Sequence, residues 1–121
     1  MDFLSSIKAR AKSDKKTIVL PESYDIRTLV AADKALKEEL ANIILVGNKE
    51  KILADAKDCD LSKAQFIDPD NYEKMDEVIN LLVELRKSKG ISAEDAKNML
   101  KDELLFGVML VKMGIADGMV S

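Results

Sequence analysis

The sequence predicts an α/β fold, a three-layer αβα arrangement around a mainly parallel sheet, on three observations. Short runs such as "TIVL" and "NIILV" are apolar throughout and show no polar alternation, the pattern of strands covered on both faces. Segments with helical spacing of apolar residues stand between these runs. Pro21, Gly47 and "DPDN" then punctuate the ends of the strands. Each crossover helix must cover one face of the strands it joins, which places helices on both sides.

Taken in order, "MDFLSSIKARAKS" sets Phe3, Leu4, Ile7 and Ala11 at helical spacing and predicts an N-terminal amphipathic helix. "TIVL" is the first strand and Pro21 ends it. Residues 25 to 40 gather Ile26, Leu29, Val30, Ala32, Leu36 and Leu40 onto one arc of a helix, interrupted by Asp33, which has Lys37 one turn on as a partner. "NIILVG" is the second strand, and Asn48 suits the N-cap of the helix "KEKILADAK". "AQFID" reads as a third strand. "YEKMDEVINLLVELRKSKG" spaces Met75, Val78, Ile79, Leu82 and Leu85 along a long helix closed by Gly90. Ser92 and Asp95 mark a capped helix start. "ELLFGVMLVKMG" is apolar nearly all round, as expected of a helix sandwiched in the interior, with Gly107 allowing close packing. "ADGMVS" supplies a last short strand.

The chain has 121 residues, 47% hydrophobic and 34% charged, enough for one domain, residues 1–121, with a single core. The net charge of -3 is spread as intermingled Lys, Glu and Asp, with no basic stripe to neutralise a row of phosphates, so a nucleic-acid partner is not expected. The longest apolar run, "LLFGVMLV", is far shorter than the roughly twenty residues a membrane span needs. A single cysteine, Cys59, excludes an intrachain disulfide, and no leader-like segment opens the chain, which points to the cytoplasm. The sequence has no histidine, so the usual general base and the commonest transition-metal ligand are missing; no metal site is expected. Cys59 lies between Asp58 and Asp60, which oppose thiolate formation.

In folds of this class ligands gather beyond the carboxyl ends of the strands, here Pro21 to Ser23, Gly47 and Asn48, Asp68 to Asn71, and the stretch after Ser121. Neither a dinucleotide glycine turn nor a phosphate-cradling loop ending in Lys-Ser/Thr occurs. Anion binding then falls to side chains or to helix N-termini. Arg27 stands in the first helical turn, where the helix dipole disfavours a cation. It is either a solvated arginine or one that serves a ligand anion. Arg86 in "ELRKSKG" closes a helix, where the dipole favours it in any case, so both readings stand open. Glu22 and Asp25 could orient Arg27, or Asp25 could simply cap the helix.

"KTIVLPESYDIRTLVAADKAL", "NIILVGN", "LSKAQFIDP", "YEKMDEVINLLVELRKSKG" and "FGVMLVKMGIADGMVS", in this order and spacing, resemble the N-terminal third of phosphate acetyltransferases, or phosphotransacetylases, of the phosphate acetyl/butyryl transferase family. The resemblance spans almost the whole chain. It implies part of the first domain of an isocitrate/isopropylmalate dehydrogenase-like two-domain fold, with the active site between the domains. It implies reversible acetyl transfer between acetyl phosphate and coenzyme A, giving acetyl-CoA and phosphate. The coenzyme A thiolate attacks the acetyl carbonyl directly within a ternary complex, without a protein nucleophile. Coenzyme A is a substrate, and no separate cofactor is implied.

Arginines of that family that bind coenzyme A match Arg27 and Arg86, and the expectation is that the two converge on one mouth of the sheet to receive its phosphates. Catalytic residues match no position here and are expected beyond Ser121, so the chain reads as an N-terminal fragment that does not turn over alone. A non-catalytic α/β module binding coenzyme A or another phosphorylated ligand is the alternative, and a structural domain without ligand a third. Apolar surface left uncovered in a fragment favours association, and full-length relatives are homodimers, so a homo-oligomer is expected.

Overall fold

The computed structural model describes residues 5, 6, 9, 10 and 13–121. Phe3, Leu4, Ile7 and Ala11, on which the expected amphipathic helix rests, lie outside the described residues. Four parallel strands form one sheet in the order β3-β2-β1-β4, where β1 is Lys16–Leu20, β2 Ala41–Val46, β3 Gln65–Ile67 and β4 Gly118–Met119. Between β1 and β2 runs α1 (Ile26–Lys37), and between β2 and β3 runs α2 (Lys49–Asp55). Three helices, α3 (Met75–Leu85), α4 (Ala93–Met99) and α5 (Glu103–Lys112), fill the long return from β3 to β4.

Helix starts are set by short polar side chains that accept from otherwise orphaned amides. Asp25 caps α1, Asn48 caps α2 and Asp102 caps α5. At α4, Ser92 and Asp95 close a reciprocal capping box, with both bonds at 3.0 Å. The expected long helix through Gly90 ends earlier, at Leu85. A 3₁₀ turn over Lys87–Lys89 follows, and Gly90 takes the left-handed conformation, φ 62°, that closes it.

Successive residues of β2 point to opposite faces, and this divides the core into two. Ile43 and Leu45 pack with Leu20, Leu29, Ala32, Leu36 and Ile52, so α1 and α2 cover one face. Ile44 and Val46 pack with Val19, Val78, Leu82, Leu100, Phe106 and Leu110, so α3, α4 and α5 cover the other. The three-layer expectation is met.

Strand β4 is short because only two of its residues pair with β1, but it is held firmly. Thr17 N donates to an Asp117 carboxylate oxygen at 2.8 Å, Asp117 N donates to the Thr17 carbonyl at 2.7 Å, and Val120 N donates to the Val19 carbonyl at 3.1 Å. Behind it Gly107 brings α5 close. A Cβ there would stand 2.8 Å from Met119 Sδ and 3.4 Å from Pro21 Cβ, the close approach expected of this glycine.

Two expectations about faces need correction. Ile26 and Val30, assigned to the buried arc of α1, are 53% and 54% exposed. The true buried line is Leu29, Ala32 and Leu36, which subtends too narrow an arc to include them. Likewise α5 is not sandwiched. Phe106, Gly107, Met109 and Leu110 are buried, but Leu104 and Val108, four apart on the outer side, are exposed, because no further described layer packs over them.

Candidate functional site

A cleft of about 650 Å³ opens at the carboxyl end of the sheet, lined among others by Ser23, Gly47, Asn48, Lys51, Asp68 and Lys101. Three of its walls are the turns that follow β1, β2 and β3, the positions at which this class of fold is expected to hold ligands. The order β3-β2-β1-β4 also reverses direction at β1: α1, leaving β1, lies on one face, and α5, leading into β4, lies on the other. The loop from Pro21 to Asp25 therefore occupies the switch point of the sheet.

Local bonds fix this rim. Gly47 has φ 137°, in the region that favours glycine, and its amide donates to the Ile67 carbonyl at 2.8 Å. Ser23, buried in the floor, donates its hydroxyl to the Val46 carbonyl. Asn48 and Asp68 spend a side-chain oxygen on the amides of Lys51 and Asp70, each at 3.0 Å. Lys51 and Lys101 are held in no ion pair among the described residues. Asp55, Asp70 and Glu103 face the same space, so the charge of the cleft is mixed and does not by itself attract an anion.

A second opening, about 510 Å³, lies beside the first and shares Pro69, Asp70 and Lys101 with it. Its floor is Met75, Ile79 and Leu100. Tyr72, at its edge, meets Phe106 edge to face, with centroids 6.0 Å apart. Burial holds the Tyr72 hydroxyl above its ordinary pKa, with Glu73 and Glu77 adding to the shift. Among the described residues no cluster of histidine, cysteine and carboxylates gathers to hold a metal ion.

The two sequence-predicted arginines line neither opening. Arg27 sits on the exposed side of the first turn of α1, with its side chain 87% exposed, just beyond the rim residue Tyr24. Its guanidinium grips Asp25 in two bonds, Nη2 to Oδ2 at 2.8 Å and Nε to Oδ1 at 3.2 Å, while its amide donates to the same Oδ1 at 2.9 Å. Asp25 is thus cap and counter-ion together. Those bonds to Arg27 hold its carboxyl below the usual carboxylate range and raise Arg27 in turn.

Arg86 is half-buried at the opposite end of α3 from Met75, which lines the second opening. Eleven helical residues cover roughly 16 Å. Since α1 and α3 also cover opposite faces of the sheet, the expected convergence of Arg27 and Arg86 on one mouth is not realised within this chain. Sequence reasoning reached the three turns but missed Lys51 and Lys101. Lys51 carried a signal, as the third residue of a helix starting at the rim. Lys101 had none, since it falls between the helix that starts at Ser92 and the apolar helix "ELLFGVMLVKMG", and only the cap at Asp102 sets it in the turn between them.

The chain matches the family model described as phosphate acetyl/butaryl transferase over residues 2–121. It is 50% identical, over all 121 residues, to phosphate acetyltransferases of Thermoanaerobacterium thermosaccharolyticum and Acetivibrio thermocellus, covering 37% and 36% of them. Among solved structures it is similar to a phosphotransacetylase from Staphylococcus aureus, at TM-score 0.88 and 33% identity, over 98% of this chain and 36% of that one. A second, from Streptococcus pyogenes, superposes at TM-score 0.84 and 37% identity, over 100% of this chain and 38% of that one. The chain thus spans little more than a third of the length of the proteins it matches.

Proposed function

Because the chain belongs to the phosphate acetyl/butaryl transferase family, we propose that it serves reversible acetyl transfer between acetyl phosphate and coenzyme A. The match of the family model to residues 2–121, with half the positions identical to two phosphate acetyltransferases, is the observation that carries this reading. The wider two-domain fold of the isocitrate/isopropylmalate dehydrogenase type, with the active site between domains, belongs to the same proposal. So does a cytoplasmic location, where both charged metabolites are met.

In this reading the thiolate of coenzyme A attacks the acetyl carbonyl directly, which suits a sequence with no histidine. The chain contributes ligand binding. Arg27 and Arg86 contact phosphate groups of coenzyme A as two separate anion contacts, one on each face of the sheet. Redirecting Arg27 from Asp25 to a phosphate costs little, because an ion pair in contact with water is largely screened. The chain spans 37% and 36% of the two phosphate acetyltransferases it matches, and a site between two domains draws its oxyanion donors and its base from both. The 121-residue chain is therefore expected to bind without turning over, which is also what the alternative of a non-catalytic binding module predicts.

Ligand-detected NMR with coenzyme A and with dephospho-coenzyme A, which lacks the 3'-phosphate, tests the reading. Coenzyme A should bind and the dephospho form bind more weakly, by about tenfold for a lost charge-assisted contact. Equal binding of both would remove the phosphate contacts from the proposal.

A further inference from the structure

Ser23 is the one buried polar side chain among the described residues, 6% exposed. Its hydroxyl donates to the carbonyl of Val46, the last residue of β2. The next residue, Gly47, donates its amide across to Ile67 of β3. The turn after β2 is therefore tied on one side to β3 and on the other to the loop after β1, and Ser23 supplies the second tie. Gly47 makes that tie possible. A Cβ on it would stand 3.1 Å from Ser23 Oγ and 3.3 Å from Ile52 Cδ1, tighter than ordinary van der Waals contact, and its φ of 137° is one that residues with side chains rarely adopt.

Ser23, Val46 and Gly47 all line the cleft, and so do their neighbours Tyr24 and Asn48. The helices beyond the two turns, α1 and α2, share one face of the sheet through Leu29 and Ile52. That packing fixes the helices but leaves the backbone of the rim to be set by polar bonds. A buried carbonyl with no partner is costly, so the hydroxyl has a reason to stay. Once the hydroxyl is gone, a water entering from the cleft can satisfy Val46 without joining the two turns.

We propose that Ser23 and Gly47 form a latch that fixes the loop after β1 against the turn after β2, making Ser23 a positioning residue for the loop that carries Asp25 and Arg27 toward the phosphates of coenzyme A. This rests on the reading that the chain binds coenzyme A. Ser23 acts through the Val46 carbonyl and the two turns, and does not itself touch the reacting atoms.

The test combines amide hydrogen exchange with coenzyme A titration on the whole 121-residue chain, for wild type, Ser23→Ala and Gly47→Ala. Ser23→Cys, which is somewhat larger but fills the same place and donates weakly, replaces Ser23→Ala if that variant does not fold. Exchange at Asp25 and Gly47, whose amides donate to the Glu22 and Ile67 carbonyls, is expected to quicken by about tenfold, while Leu29 and Ile44 keep their protection. Coenzyme A affinity is expected to fall about fivefold or more in both variants. Uniform loss of protection, core amides included, would make the hydroxyl an ordinary part of the core and overturn the latch. Local loss with unchanged affinity would overturn the positioning role. A wild-type chain that binds no coenzyme A would overturn the functional reading and the positioning role with it, while the exchange pattern still judges the latch itself.

Discussion

Arg27 shows how local bonds can offset an unfavourable place for a cation. A cation in the first turn of a helix is disfavoured by the dipole, and Asp25 offsets this by capping the helix and gripping the guanidinium at once. The sequence left capping and ion pairing as alternatives for Asp25; the structure shows both. Three carboxyls, Asp25, Asp60 and Asp95, are held below the ordinary 3.8 by bonds from Arg27, Ser62 and Ser92 respectively. A depressed folded-state pKa contributes stability that is present above the unfolded value and lost as pH falls through the folded one. Thermal unfolding scans should therefore show Tm falling below about pH 4, and Asp95→Asn should make that fall shallower. At the alkaline end the sign reverses. Burial raises the Tyr72 pKa, so stability falls as pH rises above the unfolded value near 10, and Tyr72→Phe should remove that part of the decline. Gly47→Ala is expected to cost about 1–3 kcal/mol in denaturant unfolding, from its positive φ and the crowding of its Cβ.

At the scale of elements, α5 carries the largest buried side chain. Phe106 is fully enclosed between the sheet and α3 and touches Tyr72, so Phe106→Ala should destabilise by about 3–5 kcal/mol, whereas Val108→Ser on the open side should stay within about 0.5 kcal/mol. Equal effects in urea unfolding would show that α5 is buried all round after all. Which helices and strands exist was legible because their signals are local: β-branched runs, Asn48 and Ser92 as caps, Gly90 and Gly107 as punctuation. Which side of a helix faces inward was less so. Ile26 and Val30 look like core residues on a helical wheel, but the core is chosen by the sheet beneath, and Leu29, Ala32 and Leu36 already fill that line. The two helices after Gly90 were read as separate, but Asp102 as the cap of the second was not, since a cap beside an apolar run shows itself only when the neighbouring helix turns away.

Across the whole molecule, the legible part of the site was its place and the illegible part its contents. Continuous apolar strands fix parallel pairing, and parallel pairing fixes the ligand end of the sheet, so Ser23, Gly47 and Asp68 were reachable. That Arg27 and Arg86 lie on opposite faces follows from the return of the chain across the sheet to β4, a long-range pairing that no local pattern encodes. Tyr24, Ile26 and Val30 are exposed apolar side chains close in sequence to Arg27, and we propose that they meet a second copy of the chain in the homo-oligomer expected from the sequence. Sedimentation velocity should show mass rising with concentration, and Ile26→Glu with Val30→Lys should return the chain to monomer.

Isothermal titration of coenzyme A into wild type, Arg27→Ala and Arg86→Ala tests the central claim most directly. Measurable binding that weakens about fivefold or more in each variant is the result predicted. Binding that both variants leave unchanged, or a wild-type chain that takes up no coenzyme A, would contradict it.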